Sequence, residues 1–225
     1  MARRSPFSCI LWDVDGTLVD ASDGILRRLT VTLEHFGHPA PTREELVHWI
    51  GPPQYESFQT NVGMTPDQAA EAVRYYRTLS KADGYTTDVR LYPAMAEIVA
   101  DLAAAGIPQA TASSKPEVQV DALMDFFGLA PHLAAIVGAT PDERTLAGKT
   151  AIVAESLRRL RAAGADTSRP VLVGDRHHDV EGGAANDVPV IFVRWGFSWP
   201  HESEGAQAVV DTPDALRRLL LVDDD

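Results

Sequence analysis

The chain is predicted to fold as an α/β protein with a doubly wound parallel sheet and an inserted helical segment. Short apolar runs alternate with helical patterns from Tyr92 onward, and this alternation is typical of parallel strands connected by helices. The connecting helices begin at Pro or Lys and end at Gly, which is the usual asymmetry of helix ends. Residues 21–87 carry helical patterns alone. These observations predict a discontinuous α/β core, residues 1–20 and 88–225, and a helical insert, residues 21–87.

The individual elements follow from local patterns. Residues 7–12 are apolar and rich in β-branched or aromatic side chains, which predicts a buried first strand. Similar runs predict strands over residues 107–112, 134–138, 171–173 and 188–193. Helices between them are predicted over residues 93–106, 116–128 and 149–164. In the insert, helical spacing predicts helices over residues 22–37, 44–50, 56–61 and 66–82.

The composition is that of an ordinary globular protein. The chain has 225 residues, 45% of them hydrophobic, enough for one core and a modest insert. Its formal charge is −12 at pH 7, and the basic residues are scattered, so no nucleic-acid partner is expected. A phosphate substrate is compatible with this charge, because a bound metal and one or two lysines reverse the field locally.

Cysteine usage and the lengths of the apolar runs predict the cellular compartment of the protein. Cys9 is the only cysteine, which fits a reducing environment. It lies within the predicted first strand and is interpreted as a small core hydrophobe. No apolar run approaches membrane-spanning length. We therefore expect a cytoplasmic protein without a membrane partner.

Two carboxylates stand two positions apart where the first strand ends. Asp13 and Asp15 follow the apolar run, and Gly16 breaks the strand. Acids at the rim of a core strand are costly and require compensation, such as a bound metal. Hard oxygen ligands suit Mg²⁺. In this arrangement one acid can attack a substrate while the other moves protons.

Polar residues also end two other predicted strands. Ser113 and Lys115 follow the second strand, and Asp175 and Asp179 follow the strand at residues 171–173. Ligands of open α/β sheets bind at the carboxyl ends of the strands. Three separate segments therefore bring acids, hydroxyls and a lysine to one edge, which predicts an active site there.

These segments resemble the motifs of the haloacid dehalogenase superfamily. Residues 13–17 (Asp-Val-Asp-Gly-Thr) are similar to its first motif, and Ser113 stands where the second motif has Ser or Thr. Lys149 begins a helix where the third motif has its lysine, and residues 174–179 match the fourth, Gly-Asp-x-x-x-Asp. The motifs occur in order along nearly the whole chain. The resemblance implies a phosphoglycolate phosphatase-like member whose insert is a helical cap.

The resemblance implies a Mg²⁺-dependent phosphomonoester hydrolase that acts on a small phosphorylated metabolite through an aspartyl-phosphate. It implies that Asp13 is the nucleophile, that Asp15 is the acid and base, and that Ser113 and Lys149 bind the phosphoryl group. It implies that Mg²⁺ is held by Asp13, by the Asp15 backbone carbonyl and by Asp175, with Asp179 acting through water or by orienting the ligands. The other expected phosphate- or substrate-binding residues are Gly16, Thr17, Ser114, Gln54 and Tyr55.

Two assignments have competitors. Lys115 directly follows the hydroxyls and competes with Lys149 for the cationic role, since the Gly-Lys-Thr sequence around Lys149 departs from the frequent Lys-Pro. His177 and His178 suggest zinc, but no second His or Cys cluster accompanies them and the neighbouring acids suit Mg²⁺. They are interpreted as histidines of a surface loop.

The insert is expected to set specificity. Gln54 and Tyr55 are the first candidates to face the leaving group, with Arg74 and Tyr76 as alternatives, whereas Trp49 and Phe58 are expected in the core of the insert.

Several functions remain open on the same scaffold. A phosphonate hydrolase or a sugar phosphomutase is an alternative, a dehalogenase is disfavoured by the second acid Asp15, and a phospho-accepting receiver module is disfavoured by Asp15 and the long insert. The sequence does not select among phosphoglycolate, nucleoside monophosphates and sugar phosphates, and it leaves the oligomeric state open.

Overall fold

A computed structural model describes residues 3–223 of the chain. Its strands are β1 Arg3–Arg4, β2 Cys9–Trp12, β3 Val19–Asp20, β4 Arg90–Leu91, β5 Gln109–Thr111, β6 Ser113–Pro116, β7 Gly138–Ala139, β8 Pro170–Gly174, β9 Val190–Val193, β10 Ala208–Val210 and β11 Val222–Asp223. Its α-helices are α1 Ser22–His35, α2 Arg43–Val47, α3 Gln54–Val62, α4 Pro66–Asp83, α5 Met95–Ala104, α6 Glu117–Phe126, α7 Lys149–Ala162, α8 His177–Ala184 and α9 Pro213–Leu220.

The central sheet has five strands in the order β10-β9-β8-β2-β5, and all of its pairs are parallel. Strand β2 lies between β5, which follows it in the chain, and β8, which follows later. The chain therefore winds to both sides of β2, and the predicted doubly wound α/β class is confirmed. Such a change of winding direction opens a crevice at the carboxyl ends of the central strands.

Alternate residues of β2 support two separate core layers. Ile10 and Trp12 face a cluster that includes Ile98 from α5, whereas Cys9 and Leu11 face a cluster that includes Ile152 from α7. This division follows from the two-residue period of a strand. Because both faces are covered by helices, β2 is fully buried and its carboxyl end is held rigidly.

Helices α1 to α4 share a third hydrophobic cluster. Trp49 and Phe58 pack there edge to face, with ring centroids 6.2 Å apart, as expected of core residues. The chain leaves and re-enters the α/β part through the antiparallel pair β3 and β4. The division at residues 21–87 stays a prediction, and this cluster supports it.

The structure departs from the predicted elements in several places, and α8, β3, β4 and β6 are among the elements that were not predicted. The strand expected over residues 134–138 is reduced to a bridge between Ala110 and Ala135, and β7 begins only at Gly138. The elements β10 and α9 were not predicted, although Thr212 caps α9 and Pro213 occupies its first turn, a recognisable helix start. The pair β1 and β11 was also missed. None of the helices within residues 3–223 combines the length and apolarity that a membrane span requires.

Candidate active site

Three buried acids meet beyond the carboxyl ends of the central strands. Asp13 follows β2, Asp175 follows β8, and Asp179 lies in the first turn of α8. Carboxylate oxygens of all three lie within 4.8 Å of one another. The sequence-predicted convergence of these acids is therefore present in the structure.

Lys149, the first residue of α7, is inserted among these acids. Its Nζ atom lies 2.6 Å from Oδ1 of Asp13 and 2.7 Å from Oδ1 of Asp179, and it donates a 2.8 Å hydrogen bond to the carbonyl oxygen of Ala112. Burial by itself lowers the pKa of Lys149, but Asp13 and Asp179 outweigh burial and raise that pKa above its ordinary value. The ammonium is therefore permanently charged and faces the acid that the first motif presents.

The Asp175 carboxylate is fixed by two donors. Thr17 donates from its hydroxyl to Oδ1 at 3.3 Å, and the backbone N–H of Phe197 donates to Oδ2 at 2.7 Å. Gly16 has φ of +90°, and a Cβ atom there would lie 2.3 Å from Oδ2 of Asp175. Only glycine combines that backbone conformation with so close an approach. Gly16 and Thr17 thus position a carboxylate of the acid cluster.

The acid cluster suits a hard divalent cation. Burial raises the pKa values of Asp13 and Asp175 above their ordinary range, and the neighbouring acids raise them further, while Lys149 lowers that of Asp13. One ammonium cannot offset three buried carboxylates. An oxygen-only donor set of this kind matches Mg²⁺, and Asp13, Asp175 and Asp179 would hold it. The Asp15 carboxylate is not part of this group of three.

The Asp15 carboxylate contacts Lys115 rather than the cluster of Asp13, Asp175 and Asp179. Its Oδ2 atom lies 2.9 Å from Nζ of Lys115, and its Oδ1 atom is buried without a hydrogen-bond partner among the described residues. The two competing lysines therefore contact different acids, Lys149 with Asp13 and Lys115 with Asp15. Both ammonium groups lie in the site region, but only Lys149 reaches the acid cluster.

The two serines of the second motif have different surroundings. Ser113 is 2% exposed, and its hydroxyl accepts a 3.2 Å hydrogen bond from the backbone N–H of Lys115. Ser114 is buried and lines the cavity beside Asp15. Both stand on β6, which ends just before α6.

A cavity of about 40 Å³ separates the helical insert from the α/β part. Asp15, Ser114 and Lys115 line it from one side. Gln54 and Arg77 line it from the other, together with Tyr76. This volume holds a few water molecules rather than a phosphate ester.

Some of the residues expected to set specificity line this cavity, and others do not. Gln54 lines it, and its Oε1 atom is buried without a hydrogen-bond partner among residues 3–223. Tyr55 does not line it, because its ring lies under the guanidinium group of Arg144, 5.2 Å away. Tyr76 lines the cavity whereas Arg74 is exposed. The prediction that Tyr55 faces the leaving group stays a prediction.

Sequence reasoning missed two arginine contacts between the insert and the α/β part, one an ion pair and the other a hydrogen bond to a backbone carbonyl. Arg77 of α4 forms an ion pair with Glu143, and Arg176 donates to the carbonyl oxygen of Ile50 while pairing with Glu202 at 2.7 Å. Arg176 occupies a variable position of the fourth motif, and no sequence pattern singled out Arg77. Such contacts depend on long-range packing rather than on a local motif.

His177 and His178 begin α8 and are half-buried, so their assignment to a surface loop is wrong. The Nδ1 atom of His177 lies 3.1 Å from Glu202. A ligand atom of Glu181 comes within 4.8 Å of both histidines. Burial, together with His177 and Arg176, lowers the pKa of His178 to about 4.

The doubly wound sheet and the acid cluster with its lysine are typical of an α/β enzyme whose active site lies at the sheet edge. Residues 10–193 match the family described as haloacid dehalogenase-like hydrolase. The chain belongs to this family, and the membership predicted from the four motifs is confirmed.

Individual proteins are similar to the chain over most of its length. It is 34% identical over 188 residues to the tyrosine-protein kinase PtkA of Mycobacterium tuberculosis, covering 84% of this chain and 62% of that protein. The chain thus spans less than two thirds of that relative. It is 32% identical over 214 residues to a 5'-nucleotidase of Pseudomonas aeruginosa, covering 94% of each. A crystal structure of a predicted phosphatase from Clostridium acetobutylicum superposes with a TM-score of 0.87 at 28% identity, covering 94% of this chain and 97% of the other.

Proposed function

We propose that the protein is a Mg²⁺-dependent phosphomonoester hydrolase that works through an aspartyl-phosphate on Asp13. The observation that carries this proposal is the contact of Lys149 with Asp13 inside a cluster of three buried acids. Family membership supports a hydrolase, and relatives named as a 5'-nucleotidase and phosphoglycolate phosphatases support a phosphate ester as its small-molecule substrate.

In the first half-reaction a carboxylate oxygen of Asp13 attacks phosphorus in line with the ester bond. The bond between phosphorus and the alcohol oxygen breaks, and Asp15 delivers a proton to that oxygen. Lys149 favours the ionised form of Asp13 that makes this attack, because it lowers the pKa of Asp13 against the burial that raises it.

In the second half-reaction water attacks phosphorus and Asp15 accepts one of its protons. The bond between phosphorus and the Asp13 oxygen breaks, which releases inorganic phosphate and restores the carboxylate. The Lys115 ammonium lies 2.9 Å from the Asp15 carboxylate that accepts this proton.

The remaining residues bind the phosphoryl group. Ser113, Ser114 and Lys149 would supply donors to its oxygens, and backbone N–H groups near Gly16 and Thr17 would add others. Positioning and charge stabilisation are the main contributions in phosphoryl transfer, because its transition state is loose. Mg²⁺ bound by Asp13, Asp175 and Asp179 would offset charge on the transferring group.

Helices α1 to α4 would act as a cap over the site. In the proposed reaction the cap would open for binding and close before attack. Closure would exclude water until the ester is aligned.

The test is phosphate release from a panel of metabolite phosphate esters and an aryl phosphate, with Mg²⁺ or with chelator. We expect turnover with Mg²⁺ and a ranking of esters by kcat/KM. Single-turnover labelling without release of phosphate would contradict the proposal and favour a receiver module, which is modified only once. Transfer to tyrosine instead of water would favour the activity named for the mycobacterial relative.

A further inference from the structure

A second cluster of metal-ligating side chains lies beside the acid cluster. His177, His178 and Glu181 each offer one ligand atom, and these three atoms lie within 4.8 Å of one another. This histidine cluster shares no member with the acid cluster of the proposed active site. The proposed phosphatase reaction assigns no role to its residues. The two clusters are therefore candidates for two different ions.

The start of α8 brings the histidine cluster together. His177 and His178 lie in its first turn, and Glu181 follows four and three positions later, so the three side chains share one side of the helix. The two imidazole rings lie against each other, with centroids 3.8 Å apart. Zinc bonds of about 2.0–2.2 Å to nitrogen and oxygen place the ligand atoms roughly 3–4 Å apart. Small side-chain rotations would therefore close the histidine cluster around one ion.

Glu202 orients one of the two imidazoles. Its Oε1 atom lies 3.1 Å from Nδ1 of His177, and the Glu202 side chain is only 9% exposed. A carboxylate at Nδ1 favours the tautomer that carries its proton there, which leaves the lone pair at Nε2. Metal-ligating histidines usually have such a partner on their other nitrogen. This contact is independent of the spacing within α8, and it prepares His177 to bind a metal ion.

The cations next to the histidine cluster are already paired. Arg176 contacts Glu202 at 2.7 Å, and Lys149 contacts two members of the acid cluster. The positive charges of both side chains are therefore largely offset where they lie. The exposed Glu181 carboxylate then makes the histidine cluster attractive to a cation.

We propose that His177, His178 and Glu181 bind Zn²⁺ at a site separate from the acid cluster. Imidazole nitrogens suit Zn²⁺, whereas the oxygen-only acid cluster suits Mg²⁺. Three protein ligands leave one tetrahedral position for water. The bound ion would join the first and second turns of α8, and Asp179 lies between its ligands in the chain. Zn²⁺ would thus stabilise the segment that carries one member of the acid cluster. The proposal goes beyond the phosphatase reaction and does not depend on it.

The test is a calorimetric titration of the full chain with Zn²⁺ in saturating Mg²⁺. We expect one equivalent to bind the wild type with a Kd in the micromolar range or tighter. Glu181→Ala and His178→Gln each remove a ligand and should weaken binding about tenfold or more, and Glu202→Gln should weaken it about 10–100-fold. Glu181 is exposed, so its variant should fold even if the others do not. Equal Zn²⁺ affinity of Glu181→Ala and the wild type would overturn the proposal.

Two controls locate the ion. His201→Gln, at an exposed position outside the histidine cluster, should leave the Zn²⁺ affinity unchanged, and so should Asp175→Asn. Loss of Zn²⁺ binding in Asp175→Asn with retention in Glu181→Ala would place the ion at the acid cluster and overturn the proposal. Zn²⁺ should also raise the melting temperature of the wild type but not that of Glu181→Ala.

The proposed zinc site and the proposed function fail in different measurements. A wild type that binds no Zn²⁺ in the titration would overturn the zinc site. Phosphate release with Mg²⁺ would still support the hydrolase.

Discussion

The Nζ atom of Lys149 lies 2.6 Å from Oδ1 of Asp13, although 136 positions separate the two residues in the chain. The same ammonium contacts Asp179 and the carbonyl oxygen of Ala112. It thus connects the ends of β2 and β5 with the first turns of α7 and α8. This one side chain both offsets the charge of the acid cluster and holds the sheet edge together.

Lys149→Met is expected to remove activity and to destabilise the protein without Mg²⁺. Removing one partner of a buried ion pair costs about 3–5 kcal/mol, because the remaining charges stay buried. The free energy of unfolding from denaturant titration would measure the loss. Mg²⁺ should recover part of it, whereas Lys81→Met, at an exposed position of α4, should change nothing. Equal stability of Lys149→Met and wild type in chelator would contradict the role given to Lys149.

Asp13→Asn is expected to abolish turnover while preserving the fold, since it removes the nucleophilic charge without changing the volume of the side chain. Phosphate release from an aryl phosphate and a circular dichroism spectrum are the two measurements.

Asp15→Asn should behave differently, because a good leaving group needs no proton. A labelled phospho-enzyme should then accumulate. Normal turnover of Asp15→Asn without a trapped intermediate would exclude Asp15 as the acid and base.

Mg²⁺ is expected to be required for activity and to raise the melting temperature, because binding to the folded state alone stabilises it. Excess Ca²⁺ should inhibit, since it favours bidentate carboxylates and would engage both oxygens of the nucleophile. Asp175→Asn should weaken the Mg²⁺-dependent rise measured by thermal denaturation. Full activity in chelator would contradict the Mg²⁺ requirement. Dependence on Zn²⁺ would contradict it too and would favour a catalytic zinc site at His177 and His178.

Gly51→Ala is expected to destabilise the protein more than Gly37→Ala. Both glycines have positive φ, +120° at Gly51 and +77° at Gly37, so each alanine costs about 1–3 kcal/mol in backbone strain. A Cβ at Gly51 would also lie 3.0 Å from Arg176, whereas at Gly37 nothing lies within 4 Å. Denaturant titration measures the difference. Equal losses would mean that Arg176 moves aside without cost.

Cys9 is expected to be unreactive towards thiol reagents in the folded protein. It is fully buried, and burial raises its pKa to about 11. The raised pKa has a second consequence. The buried Cys9 thiol contributes fully to the free energy of unfolding below the pKa of the unfolded thiol, about 8.5. This contribution is lost as the pH rises towards the folded-state pKa of about 11. The rate of thiol labelling at pH 8, with and without denaturant, tests the expected unreactivity of Cys9. Rapid labelling of the folded protein would contradict that expectation.

The fold class and the positions of the acids could be predicted from the sequence alone. Asp13 and Asp175 directly follow apolar runs, and the alternation of strands and helices requires the runs to be parallel, so the acids had to meet at one sheet edge. The start of α4 was equally predictable, because Pro66 marks it locally. These properties depend on neighbours in the chain, and residue patterns encode them directly.

The contacts between side chains could not be predicted from the sequence and were established by the structure. It separated Lys149 at Asp13 from Lys115 at Asp15, directed Gln54 rather than Tyr55 into the cavity, and paired Arg77 with Glu143. No local pattern distinguishes these alternatives, since each depends on how a helix of the insert or a loop lies against the sheet. The physical reason is that a side chain's partner is set by packing over the whole core, whereas its secondary structure is set largely by the residues within a few positions of it.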